Sequence, residues 1–253
     1  EGELFIGGGI SAKRLPDAFG TARGADMRIA DASGVSATLS FRHSAGVFTI
    51  ENLVAEAEDE LLIADGTIGA DGALDISVDA AVARVTTALA LARREDIPGA
   101  GAIKLSGAVG GSISAPTFRG SVEGRDIMVS DMAADRVTGG VAYSADVVRL
   151  SELKIYTGKN VQVVDGSLDL AQRTANLEVR MRDASVAGLA GLAADTFRSD
   201  FEPPADLDGF IDVDALVSGS FDYPVISVKV SARDIVAYGE KIDRAAVWME
   251  YDR

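Results

Sequence analysis

Residues 111–127 read GSISAPTFRGSVEGRDI, and residues 219–235 read GSFDYPVISVKVSARDI. Both stretches begin with Gly-Ser, carry a proline at the sixth position and end in Arg-Asp-Ile, at a shift of 108 residues (219 − 111). Between these shared points apolar and polar residues alternate with the period of two that a β-strand imposes. The repeated stretch therefore predicts a hairpin and a strand that recur along the chain. The recurrence of Arg125-Asp126 as Arg233-Asp234 favours a structural role, such as a bulge or a turn contact, over a binding site.

An earlier copy of the pattern precedes these two. At a shift of 100 residues (165 − 65), Leu53 matches Leu153 and the Asp65-Gly66 step matches Asp165-Gly166. Units of about this length are too long for helical or leucine-rich arrays. We therefore expect one continuous elongated β domain. Its predicted sections are residues 1–100 as a first unit with a partial start, 101–208 as a second unit and 209–253 as the start of a third.

Most of the chain has the composition of strands joined by tight turns. It contains 27 glycines and only six prolines, and short apolar runs are broken every ten residues or so. Asp65-Gly66, Asp71-Gly72 and Asp165-Gly166 are predicted hairpin turns, because glycine tolerates the positive φ that such turns require. The fold class predicted from these features is all-β.

Two stretches depart from the alternation. Residues 79–95 and 183–197 are rich in Ala and Leu, with apolar residues at three- and four-residue spacing. They predict short helices, the first with Asp79 as N-cap and Pro98-Gly99 as its stop.

Charge and composition exclude several classes of function. The formal net charge is −15, from 24 Lys and Arg against 39 Asp and Glu, which disfavours binding to nucleic acid. No apolar stretch is long enough to span a membrane as a helix. There are no cysteines, so disulfides, cysteine-based zinc sites and thiol catalysis are excluded.

No segment carries a recognisable catalytic or metal-binding motif. Residues 206–212 resemble a calcium loop, but the first and twelfth ligand positions of that register fall on Pro204 and Ala215, which have no carboxylate. His43 is the single histidine and has no partner motif, so we expect a solvated or edge-strand residue. The sequence predicts no enzyme, no catalytic residue, no metal ligand and no cofactor.

The repeated pattern resembles that of a known family. Residues 111–127, followed by Val141 onward with Leu153-Lys-Ile155 and by the stretch Asp165-Gly-Ser-Leu-Asp-Leu170, are similar to the degenerate repeats of the TamB and AsmA-like proteins of the bacterial envelope. The resemblance covers nearly the whole chain.

This resemblance implies a fold, a location and partners. The sheet would be curled lengthwise into an open hydrophobic trough, a β-taco-like arrangement. The full-length protein would lie in the periplasm, anchored in the inner membrane by a helix outside this chain. It would carry phospholipids between the inner and outer membranes. It could also act with an Omp85-family, TamA-like partner in assembling outer-membrane proteins.

Under this interpretation the apolar side of the alternating strands would line the trough and contact phospholipid acyl chains. The predicted lining residues are those at the apolar positions of the clearest alternations. They are Ile103, Leu105, Val109, Phe118, Val122, Ile127, Leu153, Ile155, Val164, Leu168, Leu170, Leu177, Val179, Met181, Ile226, Val228 and Val230.

Alternation alone is equally typical of a filled β core, so a filled sandwich, tandem sandwiches and a filled β-helix remain alternatives to the trough. Two other functions also remain. One is a scaffold for outer-membrane protein assembly that acts by β-strand addition. The other is a surface adhesin stalk of stacked β repeats.

Overall fold

The structure is a computed structural model, and it describes residues 2–9, 17–29, 32–58, 60–86, 98–129, 132–188 and 204–251. The predicted all-β class is confirmed. The strands are β1 (Gly2–Gly9), β2 (Asp17–Ile29), β3 (Ala32–Ser44), β4 (Val47–Ala57), β5 (Glu60–Ile68), β6 (Leu74–Arg84), β7 (Gly99–Ser112), β8 (Ala115–Val129), β9 (Met132–Ser144), β10 (Val147–Thr157), β11 (Asn160–Asp169), β12 (Thr174–Ser185), β13 (Asp208–Ser220), β14 (Pro224–Ala237) and β15 (Glu240–Tyr251).

The strands follow one another in the sheet in chain order, from β1 to β15. Every pair whose register is resolved is antiparallel, as hairpin connections require. The result is one open, unclosed sheet, which is consistent with the predicted open trough. Many strands have 12 to 15 residues, more than twice the usual length of about five or six.

The chain divides into two compact units. Unit 1 comprises Glu1–Ser130 and Val141–Ala145, and unit 2 comprises Asp131–Gly140 and Asp146–Arg253. Unit 1 therefore contains β1 to β8, and unit 2 contains β10 to β15. This division does not test the predicted repeat boundaries at residues 100 and 208, which stay a prediction.

One of the three predicted hairpin turns is confirmed and two are wrong. Asp71-Gly72 lies in the turn between β5 and β6, where the Gly72 N–H donates to the Gly69 carbonyl. Asp65-Gly66 and Asp165-Gly166 instead lie inside β5 and β11. Their glycines do have positive φ, 144° and 135°, but within a paired strand. The prediction of a positive φ at these two glycines is therefore confirmed, whereas the prediction of a turn there is wrong.

The two helix predictions are mostly wrong over the residues that the structure describes. Residues 79–84 continue β6 and residues 183–185 complete β12, because both segments pair with a neighbouring strand, β7 and β13 respectively. Asp79 is therefore a strand residue and not an N-cap. Helical conformation is confined to residues 85–86 and 186–188, and residues 87–97 and 189–203 lie outside the described part of the chain. No helix in the described ranges has the length and apolar character to cross a bilayer.

The recurring Arg-Asp steps form bulges, as the repeat predicted. Asp126 has φ 50° where the β7–β8 register shifts, and Asp234 has φ 52° where the β13–β14 register shifts. The facing strands place Gly101 (φ 96°) and Gly209 (φ 124°) beside these bulges, again 108 residues apart (209 − 101). A bulge bends its strand and increases the local twist. The β-sheet therefore has a structural repeat that follows the sequence repeat.

Candidate functional site: the apolar faces of the sheet

Pairing in unit 2 aligns apolar residues into rows that run across the strands. In an antiparallel sheet, directly opposed residues lie on the same face with Cβ atoms about 4.5–5.5 Å apart. The central row joins residues from six consecutive strands. Its members are Leu153, Val164, Val179, Ala215, Val228 and Met249.

Two further rows flank the central row on the same face. Because side chains alternate, positions two residues away along each strand return to this face. One row contains Leu150, Gly166, Leu177, Val217, Ile226 and Tyr251, and the other contains Ile155, Gln162, Met181, Val213, Val230 and Val247. We call these three rows, with Val148, Leu168 and Ala175 beyond them, the unit 2 apolar face.

The opposite face of unit 2 is mainly polar. Its rows include one that runs from Lys154 through Val163, Arg180 and Asp214 to Lys229. Arg182 forms an ion pair with Asp214, which raises the pKa of the Arg182 guanidinium. Adjacent residues of these strands therefore lie on opposite faces, one mainly apolar and the other mainly polar.

Unit 1 repeats this arrangement. One row contains Ile50, Gly66, Ile76, Val109 and Phe118. The next contains Leu53, Ala64, Val78, Gly107 and Gly120. We call these rows, with the Leu105–Val122 pair and Ile103, the unit 1 apolar face.

All but one of the predicted lining residues lie on these two faces. Ile127 follows the bulge at Asp126 and belongs to the unit 1 face, because a Cβ added to Gly124 would lie 2.9 Å from Ile127 Cγ1 and 3.4 Å from Ile103 Cγ2. Leu170 is the exception, since it lies in the turn after β11 with 45% of its surface exposed. Whether any of them contacts lipid stays a prediction.

Sequence reasoning missed several members of the faces. Leu150, Val213, Val217 and Val247 in unit 2 were not among the predicted lining residues, and neither was Ile50 in unit 1. The period-two alternation that could have identified the β13 residues was present but weak. Val213, Ala215 and Val217 alternate with Asp214, Leu216 and Ser218, and Leu216 is apolar. Their face becomes certain only when the register to β12 and β14 is known.

Both faces lack the burial of a filled core. In the described residues only Val35, Ala64, Val85, Val164, Met181 and Ala184 are buried apolar side chains, and none is less than 2% exposed. A sandwich core of this many apolar residues would bury most of them completely. The filled sandwich is therefore contradicted for the described ranges.

Aromatic residues are few on the apolar faces, with one stacked pair in unit 1. The rings of Phe41 and Phe48 are 5.3 Å apart at an interplanar angle of 18°. His43 pairs with Phe48 across β3 and β4, on the same face. The edge-strand alternative for His43 is wrong, because β3 is paired on both sides, and the side chain itself is half-buried.

Asp165 secures the bulge at the centre of unit 2. Its Oδ1 accepts the Glu152 N–H at 2.7 Å, and its Oδ2 accepts a hydrogen bond from Arg180 Nη2 at 2.5 Å. Glu152 has φ 48° at the point where the β10–β11 register shifts. The Glu152 N–H, followed by Arg180, holds the pKa of the Asp165 carboxyl below its usual range. Asp165 therefore acts as a clamp on this bulge.

A carboxylate also caps the turn between β14 and β15. Asp206 accepts the Gly239 N–H at 2.6 Å and the Tyr238 N–H at 3.0 Å. These two donors lower the pKa of the Asp206 carboxyl. Asp206, which belongs to the stretch that resembles a calcium loop, therefore accepts hydrogen bonds from two backbone N–H groups.

Comparisons with family models, with curated proteins and with solved structures gave no match.

Proposed function

We propose that this chain is a non-enzymatic segment of a bacterial envelope protein of the TamB and AsmA-like kind, and that its apolar faces hold phospholipid acyl chains during transport between the inner and outer membranes. The observation that carries the proposal is the continuity of the apolar rows across consecutive strands without a covering layer in the described residues. Exposed apolar surfaces of this extent mark interaction sites in folded proteins.

Burial of hydrocarbon supplies the binding energy. Each CH₂ group removed from water contributes about 0.8 kcal/mol, so a tail of about sixteen carbons gains on the order of 10 kcal/mol before ordering costs. The polar headgroup can remain in water because the faces are open. The rows consist mainly of aliphatic side chains, which can pack against a flexible acyl chain because neither forms directional hydrogen bonds.

The location and partners of the proposal come from the family resemblance. The protein would work in the periplasm, held at the inner membrane by an anchor outside this chain, with an Omp85-family partner at the outer membrane. Assembly of outer-membrane proteins by strand addition is the alternative function, and the same preparation can test it.

The test uses two neighbouring positions on opposite faces. A photoreactive amino acid is placed at Val228, on the unit 2 apolar face, or at Lys229, which is exposed on the polar face. After expression in a Gram-negative periplasm and irradiation, the Val228 variant should crosslink to phospholipid and the Lys229 variant should not.

Equal crosslinking from both positions, or none from either, would contradict lipid binding by this face. A protein free of lipid after organic extraction that instead captures unfolded porin strands would support the assembly function.

A further inference from the structure

Gln162 is the one side chain with an amide in the three rows of the unit 2 apolar face. It lies in β11 between Ile155 of β10 and Met181 of β12, and Val164 follows it on the same face. Met181 is 8% exposed and Val164 is 7% exposed. The Gln162 side-chain amide is itself only half-buried, so it is partly hydrated and would gain from a hydrogen-bond partner that a ligand supplies.

The protein supplies no such partner within the described ranges. In the described residues, no backbone or side-chain group is hydrogen-bonded to the side-chain amide of Gln162. The amide is only partly buried, so its donors and its acceptor are open to a ligand lying on the face.

The internal repeat shows that the fold does not need an amide at this position. At the shift of 100 residues that matches Gly66 to Gly166, Gln162 corresponds to Leu62 (162 − 62). Leu62 pairs with Ala55, as Gln162 pairs with Ile155, so the equivalence holds in the structure as well. A leucine therefore serves at the equivalent place opposite the preceding strand, which leaves the glutamine without a structural explanation on that side.

Gln162 also marks where the apolar rows meet a polar margin. Thr157 and Asn160 pair on the same face at the next position toward the end of β10 and β11. The turn beyond them contains Lys159, which is exposed and forms no ion pair with any described carboxylate. From the apolar rows outward, the order is apolar side chains, an amide, hydroxyl and amide groups, and then the turn with the Lys159 cation, whose Gly158 N–H donates to Asp135 Oδ2 at 2.6 Å.

A diacyl glycerophospholipid has the same order of groups. Its tails are followed by ester carbonyls, which accept hydrogen bonds, and then by an anionic phosphate. We propose that Gln162 is a positioning residue that donates a hydrogen bond to a lipid ester carbonyl and so sets the depth of the lipid and directs its headgroup toward the 158–159 turn. This inference rests on the proposed function, since it requires a lipid on the unit 2 apolar face.

The test compares two lipids that differ in the carbonyl alone. The 253-residue chain is loaded with the fluorescent fatty acid cis-parinaric acid, which is then displaced by dioleoylphosphatidylcholine or by its dialkyl ether analogue. The wild-type protein should prefer the diester by about threefold to tenfold, the range of one net hydrogen bond. Gln162→Leu should bring the ratio of the two displacement constants close to one without weakening displacement by the ether lipid.

Two matched variants separate the amide from a general effect on the fold. Asn176→Leu makes a comparable replacement at an exposed position on the opposite face of β12 and should keep the wild-type preference. Leu62→Gln introduces the amide at the equivalent site of unit 1 and should increase the preference for the diester. The urea midpoint of Gln162→Leu should equal or exceed that of the wild type, because a partner-free amide is removed.

A wild-type ratio near one, a preference that survives Gln162→Leu, or a lower unfolding midpoint for that variant would each overturn the inference while leaving lipid binding intact. Failure of both lipids to displace the probe would overturn the proposed function itself.

Discussion

Individual glycines allow neighbouring strands to approach closely at the centre of each unit. Gly166 in unit 2 and Gly66 in unit 1 have positive φ, and a Cβ atom on either would lie within 2.2 Å of a carbonyl oxygen of the next strand. A side chain there would clash with backbone, which cannot move without shifting the ladder. These positions therefore need glycine for two reasons, the torsion angle and the space.

We expect Gly166→Ala to destabilise the protein by at least about 2 kcal/mol, because it combines an unfavourable φ with a backbone clash. Gly158→Ala is the matched control, since Gly158 also has positive φ (58°) but has no atom within 4 Å of an added Cβ. It should cost only about 1 kcal/mol. Urea unfolding followed by tryptophan fluorescence and circular dichroism measures both. Equal losses would show that space is not limiting at Gly166.

At the scale of elements, several long strands are divided by bulges, and a side chain of the neighbouring strand holds the β10 bulge in place. Asp165 accepts the Glu152 N–H of the β10 bulge and pairs with Arg180 of β12, so one carboxylate links three strands. Bulges re-aim the strand on either side of the irregularity. The rows on the unit 2 apolar face depend on this clamp, because the register on both sides of the β10 bulge places Leu150 and Leu153 on the same face.

Replacement of this carboxylate should give a pH-dependent loss of stability. The pKa of Asp165 is lowered in the folded state, so its contribution is present above the unfolded-state pKa of about 3.9 and is lost as the pH falls through the folded-state pKa. Asp165→Ala should therefore lower the free energy of unfolding by about 1–2 kcal/mol at pH 7, and the difference from wild type should shrink in strong acid.

Urea titrations at pH 7 and near pH 2.5 measure this difference. Asp75→Ala, which removes an exposed carboxylate from the polar side of β6, serves as the control. A pH-independent difference for Asp165→Ala would mean that the side chain acts through packing and not through its charge.

At the largest scale, the apolar residues of the described ranges form faces and not a closed core. The few buried side chains lie where the sheet is most irregular, as Ala184 does after the β12 bulge, whereas most members of the rows are half-exposed. Stability must then come largely from the extended hydrogen-bond ladders and from partial burial by neighbours in the same layer. The faces remain available to a ligand for the same reason.

A charge placed on such a face should be tolerated far better than one placed in a core. Val179→Asp, in the central row of unit 2, should cost about 1–2 kcal/mol, because the carboxylate can remain hydrated. Ala184→Asp should cost about 4 kcal/mol or more, since Ala184 is 2% exposed. Unfolding in urea at pH 7 gives both values, and equal, large losses would indicate that the central row is covered in solution.

Local sequence patterns were sufficient for the all-β class, the repeat, the bulges at the Arg-Asp steps and most of the two faces, because side-chain direction in a strand follows from a period of two. Three features depended on long-range pairing. The segments 79–84 and 183–185 are strands because β7 and β13 lie beside them, although their Ala-rich composition favours helix. Asp65-Gly66 and Asp165-Gly166 bend strands instead of ending them, because partner strands occupy both sides. Register, finally, brought residues from six strands into one row, and no local pattern specifies which residue lies opposite which.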